Sequence, residues 1–126
     1  MKEIVKTDKA PAAIGPYSQA VRAGEFLFIS GQIPLDPKTG QLVVGTLEEQ
    51  AERVLENLKA IVVESGFAMG DVVKTTIFAV NMEHFAAVNG VYTRYFAENP
   101  PARSFVAVKE LPRGVALEIE AVAWKR

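Results

Sequence analysis

The sequence predicts an α/β fold in which two helices cover one face of a single β-sheet. Three observations lead to this prediction. The chain has 126 residues and no cysteine; two segments repeat apolar residues at helical spacing; and segments rich in β-branched residues alternate with them. A chain of about 100 to 150 residues can bury one core without disulfides or metal. We therefore expect one domain over residues 1–126, with no linker or repeat dividing it.

The first third of the chain predicts a short strand, a loop and a hairpin. Lys2 to Lys6 alternates in part, and two prolines with a glycine exclude regular structure from Ala10 to Tyr17. Gln19 to Ala23 and Phe26 to Gln32 have the composition of strands. Gly24 lies between them and predicts a hairpin turn.

The first helix follows from a capping box and a regular apolar repeat. Thr46 to Glu49 fits the box, and Gly66 is a suitable C-cap. The apolar positions between them are Leu47, Ala51, Val54, Leu55, Leu58, Ile61 and Val62. Glu49 and Arg53 are expected to pair on the outer face, so the helix is amphipathic and should lie on a sheet.

The second half predicts a strand, a helix and two further strands. Val72 to Val80 is rich in β-branched residues, and aromatic residues then mark a helix that begins near His84 and ends by Asn99–Pro101. Ala102 to Val108 and Ala116 to Trp124 are the final strands. The Pro/Gly turn between them would, by itself, make a terminal hairpin.

Alternation along the strands predicts a second sheet face that is half apolar and half polar. In the last strand, the helix side takes Leu117, Ile119, Ala121 and Ala123, and the other side takes Glu118, Glu120, Val122 and Trp124. The second hairpin strand divides into Leu27, Ile29 and Gly31 against Phe26, Phe28 and Ser30. Too few residues remain for another layer, so we expect several copies to close their sheets against each other as a homo-oligomer.

Composition argues against several classes of function. Lysine and arginine number 14 against 15 acidic residues, a net charge of −1, so no basic stripe supports nucleic-acid binding. His84 is the one histidine, which disfavours His-rich metal sites. A Ser-His-Asp triad would have to use His84, and the sequence has no G-x-S-x-G motif to present the serine nucleophile. No glycine-rich nucleotide motif is present, and no cofactor is expected.

Hydropathy predicts no contact with membranes. The longest uncharged apolar runs are far below the ~18 residues of a membrane span, and charge follows Met1 at once. We therefore expect a cytoplasmic protein.

Arg103 is the first candidate for binding a ligand. It begins an otherwise uncharged strand, where its side chain shares a face with Phe105 and Ala107. The planar guanidinium matches a carboxylate bidentately, so a small organic acid is a plausible ligand. The alternative is an ordinary surface or ion-pairing arginine.

Glu118 and Glu120 are candidates for a general base. They lie two residues apart on one face of the last strand, where apolar neighbours would raise a carboxyl pKa. Alternatively, both are solvated or pair with cations of a neighbouring subunit.

Three further residues carry polar groups at unusual positions. Tyr17 and Ser30 each lie close to a glycine that lets a ligand approach the backbone, although Tyr17 could be a packing aromatic and Ser30 a strand-end residue. Asn89 stands beside Gly90 inside the second helix, where both have poor propensity, so close packing or a side-chain hydrogen bond is expected there.

Several motifs together resemble one known family. They are Ala10–Gln19 (APAAIGPYSQ), Ser30–Pro34 (SGQIP), and Pro101–Ser104 (PARS) with Glu118–Ala123 (EIEAVA). In this order, over nearly the whole chain, they are similar to the Rid (YjgF) family of enamine/imine deaminases, and specifically to its RidA subgroup.

The resemblance implies a chorismate-mutase-like α/β fold with a mixed six-stranded sheet. It also implies a homotrimer whose sheets close into a central barrel, with ligand clefts between neighbouring subunits. In this family the last strand is inserted beside the first core strand, which would replace the terminal hairpin.

The reaction implied is hydrolysis of 2-imino acids, such as 2-iminopropanoate and 2-iminobutanoate, to 2-keto acids and ammonia without cofactor or metal. Arg103 would bind the substrate carboxylate, and Glu118 would orient and deprotonate the attacking water, with Glu120 as a structural partner. The remaining cleft residues would be Tyr17, Ser30 and Asn89, with backbone groups of Gly31 and Phe105.

One departure and two alternatives accompany the resemblance. Many relatives carry cysteine where this chain has Phe105, so the cleft is expected to be narrower and the preference among imino acids shifted.

A small-carboxylate-binding regulatory or chaperone-like protein would need Arg103 but not Glu118. An endoribonuclease or translation inhibitor would need phosphate-binding lysines and a cleavage base that the sequence does not display.

Overall fold

Six strands and two α-helices make up the structure, a computed structural model that describes residues 1–126. The strands are β1 (Lys2–Val5), β2 (Ala20–Ala23), β3 (Phe26–Gln32), β4 (Val72–Ala79), β5 (Ala102–Ala107) and β6 (Leu117–Trp124). The helices are α1 (Leu47–Glu64) and α2 (Phe85–Tyr95). Each predicted element is present, with ends that differ from the prediction by a few residues at most.

The strands form one mixed sheet in the order β1-β2-β3-β6-β4-β5. Only the β4–β5 pair is parallel, and all other neighbours are antiparallel. β6 therefore lies between β3 and β4, and the terminal hairpin suggested by the Pro/Gly turn is not formed. A central position suits β6 because four of its eight side chains are buried.

α1 begins and ends as its sequence predicts. The Thr46 side chain accepts a hydrogen bond from the Glu49 N–H, and the Glu49 carboxylate accepts one from the Thr46 N–H. Gly66 follows the helix in the left-handed conformation, at φ 81°. The predicted Glu49–Arg53 pair is wrong. The cap occupies the Glu49 carboxylate, and Arg53 Nε donates instead to Asn57 Oδ1 at 3.1 Å.

α2 follows a short 3-10 turn, Met82–His84, whose N-cap is Asn81. The helix ends at Tyr95, before the Asn99–Pro101 segment, because Phe96 leaves helical geometry at φ −133° and ψ 42°. Both helices lie on the same side of the sheet, where one core cluster joins α1 and α2 to the sheet residues Leu27, Ile77 and Ile119.

The face assignment is confirmed in β6, and the predicted alternation is corrected at one position in β3. Leu117, Ile119, Ala121 and Ala123 are buried beneath the helices, as predicted. Between Ile29 and Gln32 the register with β6 shifts, because β3 holds one residue more than its partner. This bulge breaks the predicted alternation that put Gly31 on one face with Leu27 and Ile29. Gly31 lies towards Glu118 on the helix-free face, whereas Leu27 and Ile29 are buried on the helix side.

The helix-free face leaves large apolar side chains partly open. Phe26, Phe28 and Trp124 are 43%, 48% and 38% exposed, and Val106 is 40% exposed. An open apolar patch of this kind is typical of a protein interface. The homo-oligomer, its trimeric form and its central barrel stay predictions, because the structure describes one chain. Neither helix is both long and apolar enough to span a membrane.

Candidate active site

Glu118 lies on the helix-free face, directly over the backbone of Gly31. A Cβ atom built on Gly31 would come within 2.5 Å of Glu118 Oε2 and within 2.9 Å of its Cγ. Any side chain at position 31 would therefore displace the carboxylate. The bulge in β3 and the absence of a side chain on Gly31 together make the space that the Glu118 side chain occupies.

The environment of Glu118 suits a base. Burial raises the pKa of its carboxyl, and the charge of Glu120, two residues along the same strand face, raises it further. The Glu118 carboxylate makes no ion pair; the one ion pair in the structure joins Arg94 and Glu52. Glu118 is therefore a half-buried carboxylate without a cationic partner in its own chain.

A cleft of about 640 Å³ opens beside Glu118. Its walls include Tyr17, Ser30, Gly31 and Glu120. The Tyr17 side chain is 54% exposed within the single chain. Ser30 Oγ donates to the Ser18 carbonyl at 2.6 Å, which leaves the oxygen able to accept a further hydrogen bond. The predicted cleft residues Tyr17, Ser30 and Gly31 are thus gathered around Glu118, in what we call the Glu118 cleft.

A buried residue that the sequence analysis missed holds this cleft together. Gln19 is 3% exposed. Its Nε2 donates to the carbonyls of Thr7, Ala10 and Pro11, and its Oε1 accepts from the Thr7 N–H at 2.7 Å. One amide therefore fixes the loop that leads to Tyr17. A glutamine at the start of a strand carries no special signal, so only the folded loop shows this role.

Arg103 lies in a second cleft of about 500 Å³, between β5 and the end of α2. Its Nη1 donates to Asn89 Oδ1 at 2.8 Å, which is the hydrogen bond expected of an asparagine inside a helix. No carboxylate of the same chain pairs with Arg103. The guanidinium keeps N–H groups free to bind an anion. We call this region the Arg103 cleft.

Phe105 lies beside the Arg103 cleft and does not line it. Its ring packs against the ring of Phe85 on α2, with 5.1 Å between centroids. Arg103 and Phe105 share one face of β5, as predicted, because every second side chain of a strand points to the same face. The large side chain thus packs under the N-terminus of α2.

The two clefts of one chain lie on opposite faces of the sheet. Arg103 is paired through Thr75 with Ala121, and both of these residues are buried on the helix side. Glu118 is on the other side, between the buried residues Leu117 and Ile119 of its own strand. A single chain therefore does not bring Arg103 and Glu118 together at one ligand.

Comparison of the whole chain with known proteins identifies its family. The family model described as Endoribonuclease L-PSP, which represents the YjgF/Rid family, matches residues 7–125. The chain belongs to the Rid family. A RutC family protein from Pyrococcus horikoshii is 53% identical over 125 residues, with 99% of each chain covered. An Escherichia coli K12 relative named "Putative reactive intermediate deaminase TdcF" is 48% identical over 126 residues, covering 98% of this chain and 97% of that protein.

Solved structures of Rid proteins have the same fold. A Thermotoga maritima crystal structure, described as that of a "putative endoribonuclease", superposes with a TM-score of 0.99 at 63% identity, covering 100% of this chain and 99% of that one. E. coli TdcF with bound serine superposes with a TM-score of 0.94 at 45% identity, covering 98% and 99%. The mixed six-stranded sheet with two helices is therefore the Rid architecture.

Other residues around the clefts were not singled out from the sequence. Arg113 lines the Glu118 cleft from the predicted Pro/Gly turn and adopts the left-handed conformation, at φ 57°. Phe85 and Tyr92 are two of the aromatic residues that predict α2, and both lie against Arg103. No group of three or more histidine, aspartate or glutamate side chains is placed to hold a metal ion.

Proposed function

We propose that this Rid protein hydrolyses 2-imino acids to 2-keto acids and ammonia, with 2-iminopropanoate and 2-iminobutanoate as substrates. The observation that carries the proposal is the chemistry of the two clefts. One presents an unpaired guanidinium and the other a partly desolvated carboxylate. A substrate with an anionic end and an electrophilic carbon that water must attack needs these two groups.

The substrate cleft forms between subunits in this proposal. Because Arg103 and Glu118 of one chain face opposite sides of the sheet, Arg103 of one copy must meet Glu118 of another. The open apolar face of the sheet supports such an assembly. A homotrimer with three equivalent clefts is the proposed form, and a single-chain mass in light scattering at micromolar concentration would contradict it.

Arg103 binds the substrate carboxylate through its free N–H groups and so fixes the imine carbon. Glu118 accepts a proton from water as the water oxygen bonds to that carbon, and the proton passes to the nitrogen to give a carbinolamine. Glu118 then takes the hydroxyl proton and returns it to the nitrogen. The C–N bond breaks, and ammonia and the 2-keto acid leave.

The names of relatives support deaminase activity in general, without naming the substrate. TdcF carries a deaminase name, and its crystal structure holds serine, a small molecule with an α-carboxylate. An imine is already electrophilic, so positioning and one base are sufficient assistance. A cytoplasmic location, where pyridoxal-phosphate enzymes release such imines, is part of the proposal.

Rate measurements on three variants test the proposal. A serine or threonine dehydratase supplies the imine, and its disappearance is followed with the wild type, Arg103→Ala and Glu118→Gln. Both substitutions are expected to lower the enzymatic rate by about 10²-fold or more. Arg94→Ala is the matched control, because it removes an arginine that pairs with Glu52 at the surface. An inert wild type would contradict the proposal.

Binding measurements in solution distinguish two other functions from imine hydrolysis. A wild type that is inert but binds pyruvate through Arg103 would be a small-carboxylate-binding module, with Phe105 as the first residue to replace. The family model and two of the solved relatives carry endoribonuclease names. With a net charge of −1 and carboxylates lining the Glu118 cleft, this chain offers little attraction for phosphates. Binding to single-stranded RNA that falls steeply with salt would revive that function.

A further inference from the structure

Three side chains of α2 surround the guanidinium of Arg103. Its Cζ atom lies 5.5 Å from the centroid of the Phe85 ring and 4.9 Å from that of Tyr92, within the range of cation–π attraction. Asn89 Oδ1 accepts from Nη1 at 2.8 Å. Residues 85, 89 and 92 are spaced by four and three, so one helix face presents all three to β5.

We propose that Phe85, Asn89 and Tyr92 form a positioning cradle that holds the Arg103 guanidinium in the orientation that receives the substrate carboxylate. The proposal rests on the proposed function and adds residues that need not touch the substrate. An arginine side chain loses much rotamer freedom when it is fixed, and a cradle that fixes it before the substrate arrives removes that cost from binding.

The two aromatic rings of the cradle, its walls, are each held by a contact on the side away from Arg103. The Tyr92 hydroxyl shares a hydrogen bond of 2.7 Å with Thr75 Oγ1, and Thr75 is the residue that pairs with Arg103 across β4 and β5. Burial raises the pKa of Tyr92, so the phenol stays neutral beneath the cation. On the other wall, the ring of Phe105 packs against that of Phe85. Thr75 and Phe105 therefore act on Arg103 through the aromatic walls.

The cradle leaves the binding side of the guanidinium free. Asn89 takes one N–H of Nη1, and the rings contact the guanidinium without using its N–H groups. No carboxylate of the chain pairs with Arg103. The remaining N–H donors have the fork geometry that a carboxylate accepts bidentately. An oriented, unsatisfied fork is expected to select carboxylates over uncharged groups of the same shape.

Variants of the two aromatic walls test the cradle. Phe85→Leu keeps apolar bulk but removes the ring, and Tyr92→Phe keeps the ring but removes the hydrogen bond to Thr75. The matched control is Tyr95→Phe, which removes a hydroxyl from the same helix, one that donates to Glu56 at 2.6 Å on α1. Phe85→Tyr restores an aromatic wall. Phe85 is 40% exposed, so its replacement leaves the core intact; Tyr92 belongs to the core cluster, and Tyr92→Phe keeps the ring that packs there.

Two measurements follow the guanidinium directly. The first is the Kd of pyruvate compared with that of pyruvamide, its uncharged analogue. The second is ¹⁵N relaxation of Arg103 Nε in the free protein. Phe85→Leu is expected to weaken pyruvate binding by about 3- to 10-fold and Tyr92→Phe by about 2- to 5-fold. Both variants should make Arg103 Nε more mobile and leave pyruvamide binding unchanged. Tyr95→Phe and Phe85→Tyr should match the wild type.

The cradle is overturned if Phe85→Leu and Tyr92→Phe match Tyr95→Phe in both pyruvate affinity and Arg103 mobility. It is also overturned if pyruvate and pyruvamide weaken equally, since that would indicate a general change of the cleft. Failure of the proposed function has a different signature. A wild type without imine hydrolysis, in which both wall variants still weaken pyruvate binding selectively and loosen Arg103, supports the cradle and contradicts the deaminase.

Discussion

Gly31 and Glu118 occupy one space: the carboxylate of Glu118 lies where a side chain at position 31 would begin. The contact depends on the bulge in β3, which turns Gly31 towards the helix-free face. Glu118 belongs to the central strand β6, paired on both sides, so its backbone is not free to shift. Glycine at position 31 is therefore a condition for the position of the proposed base.

Gly31→Ala is expected to displace the Glu118 carboxylate and lower kcat/KM for imine hydrolysis by about 10²-fold, because small misplacements of a reacting group cost this much. Gly70→Ala is the control, since a Cβ there would meet nothing within 4 Å. Steady-state kinetics with the dehydratase-coupled assay measures the effect. Wild-type kinetics in Gly31→Ala would show that the position of Glu118 does not matter.

The pH dependence of hydrolysis should follow Glu118. Burial and the charge of Glu120 raise the pKa of its carboxyl, and a base works only when ionised. We expect kcat/KM to fall on the acid side at a higher pH than an ordinary glutamate would give. Glu120→Gln removes the second cause, so its acid limb should move to lower pH with the same substrate. An unmoved limb, or one moved to higher pH, would contradict this assignment.

Glu118→Gln should stabilise the fold while abolishing catalysis. A carboxyl whose pKa is raised on folding favours the folded state when protonated, and this contribution is lost as the pH rises through the folded-state value. At about pH 7 the ionised group therefore opposes folding. We expect the variant to melt a few degrees higher than the wild type at about pH 7, with a difference that shrinks under acid conditions. A lower melting temperature at neutral pH would be the opposite result.

Gln19→Ala should destabilise the protein by about 2 to 4 kcal/mol, because it leaves the buried Thr7 N–H and three carbonyls without their partner. Gln41→Ala is the control: Gln41 is exposed, and we expect a change within about 0.5 kcal/mol. Denaturant unfolding compares the two variants. Equal stabilities would mean that the loop before Tyr17 does not depend on Gln19.

The sequence predicts the elements of this fold better than their arrangement. Helical spacing and capping residues placed α1 closely, because these signals are local. The insertion of β6 between β3 and β4 depends on pairing over long distances, and the local turn before β6 pointed to a hairpin instead. The resemblance to a family, and not the pattern of residues, predicted that the last strand is inserted into the sheet.

The candidate site shows the same division. Alternation assigned Arg103 and Glu118 to strand faces, but only the register through Thr75 shows that the faces are opposite. The bulge at Gly31 has no signature beyond a glycine in a strand. Tyr92 has the helical spacing of a core residue and is buried in the structure. Its position in the sequence therefore gives no sign that its ring also contacts Arg103.

The central claim is that Arg103 of one subunit and Glu118 of another form each substrate cleft. Subunit complementation tests it most directly: Arg103→Ala and Glu118→Gln proteins, each inactive alone, are unfolded, mixed in equal amounts and refolded. In a cyclic assembly with random exchange, about one quarter of the clefts regain both residues, so about that fraction of wild-type activity should return. If native mass spectrometry shows mixed oligomers and no activity returns, the cleft is not shared between subunits.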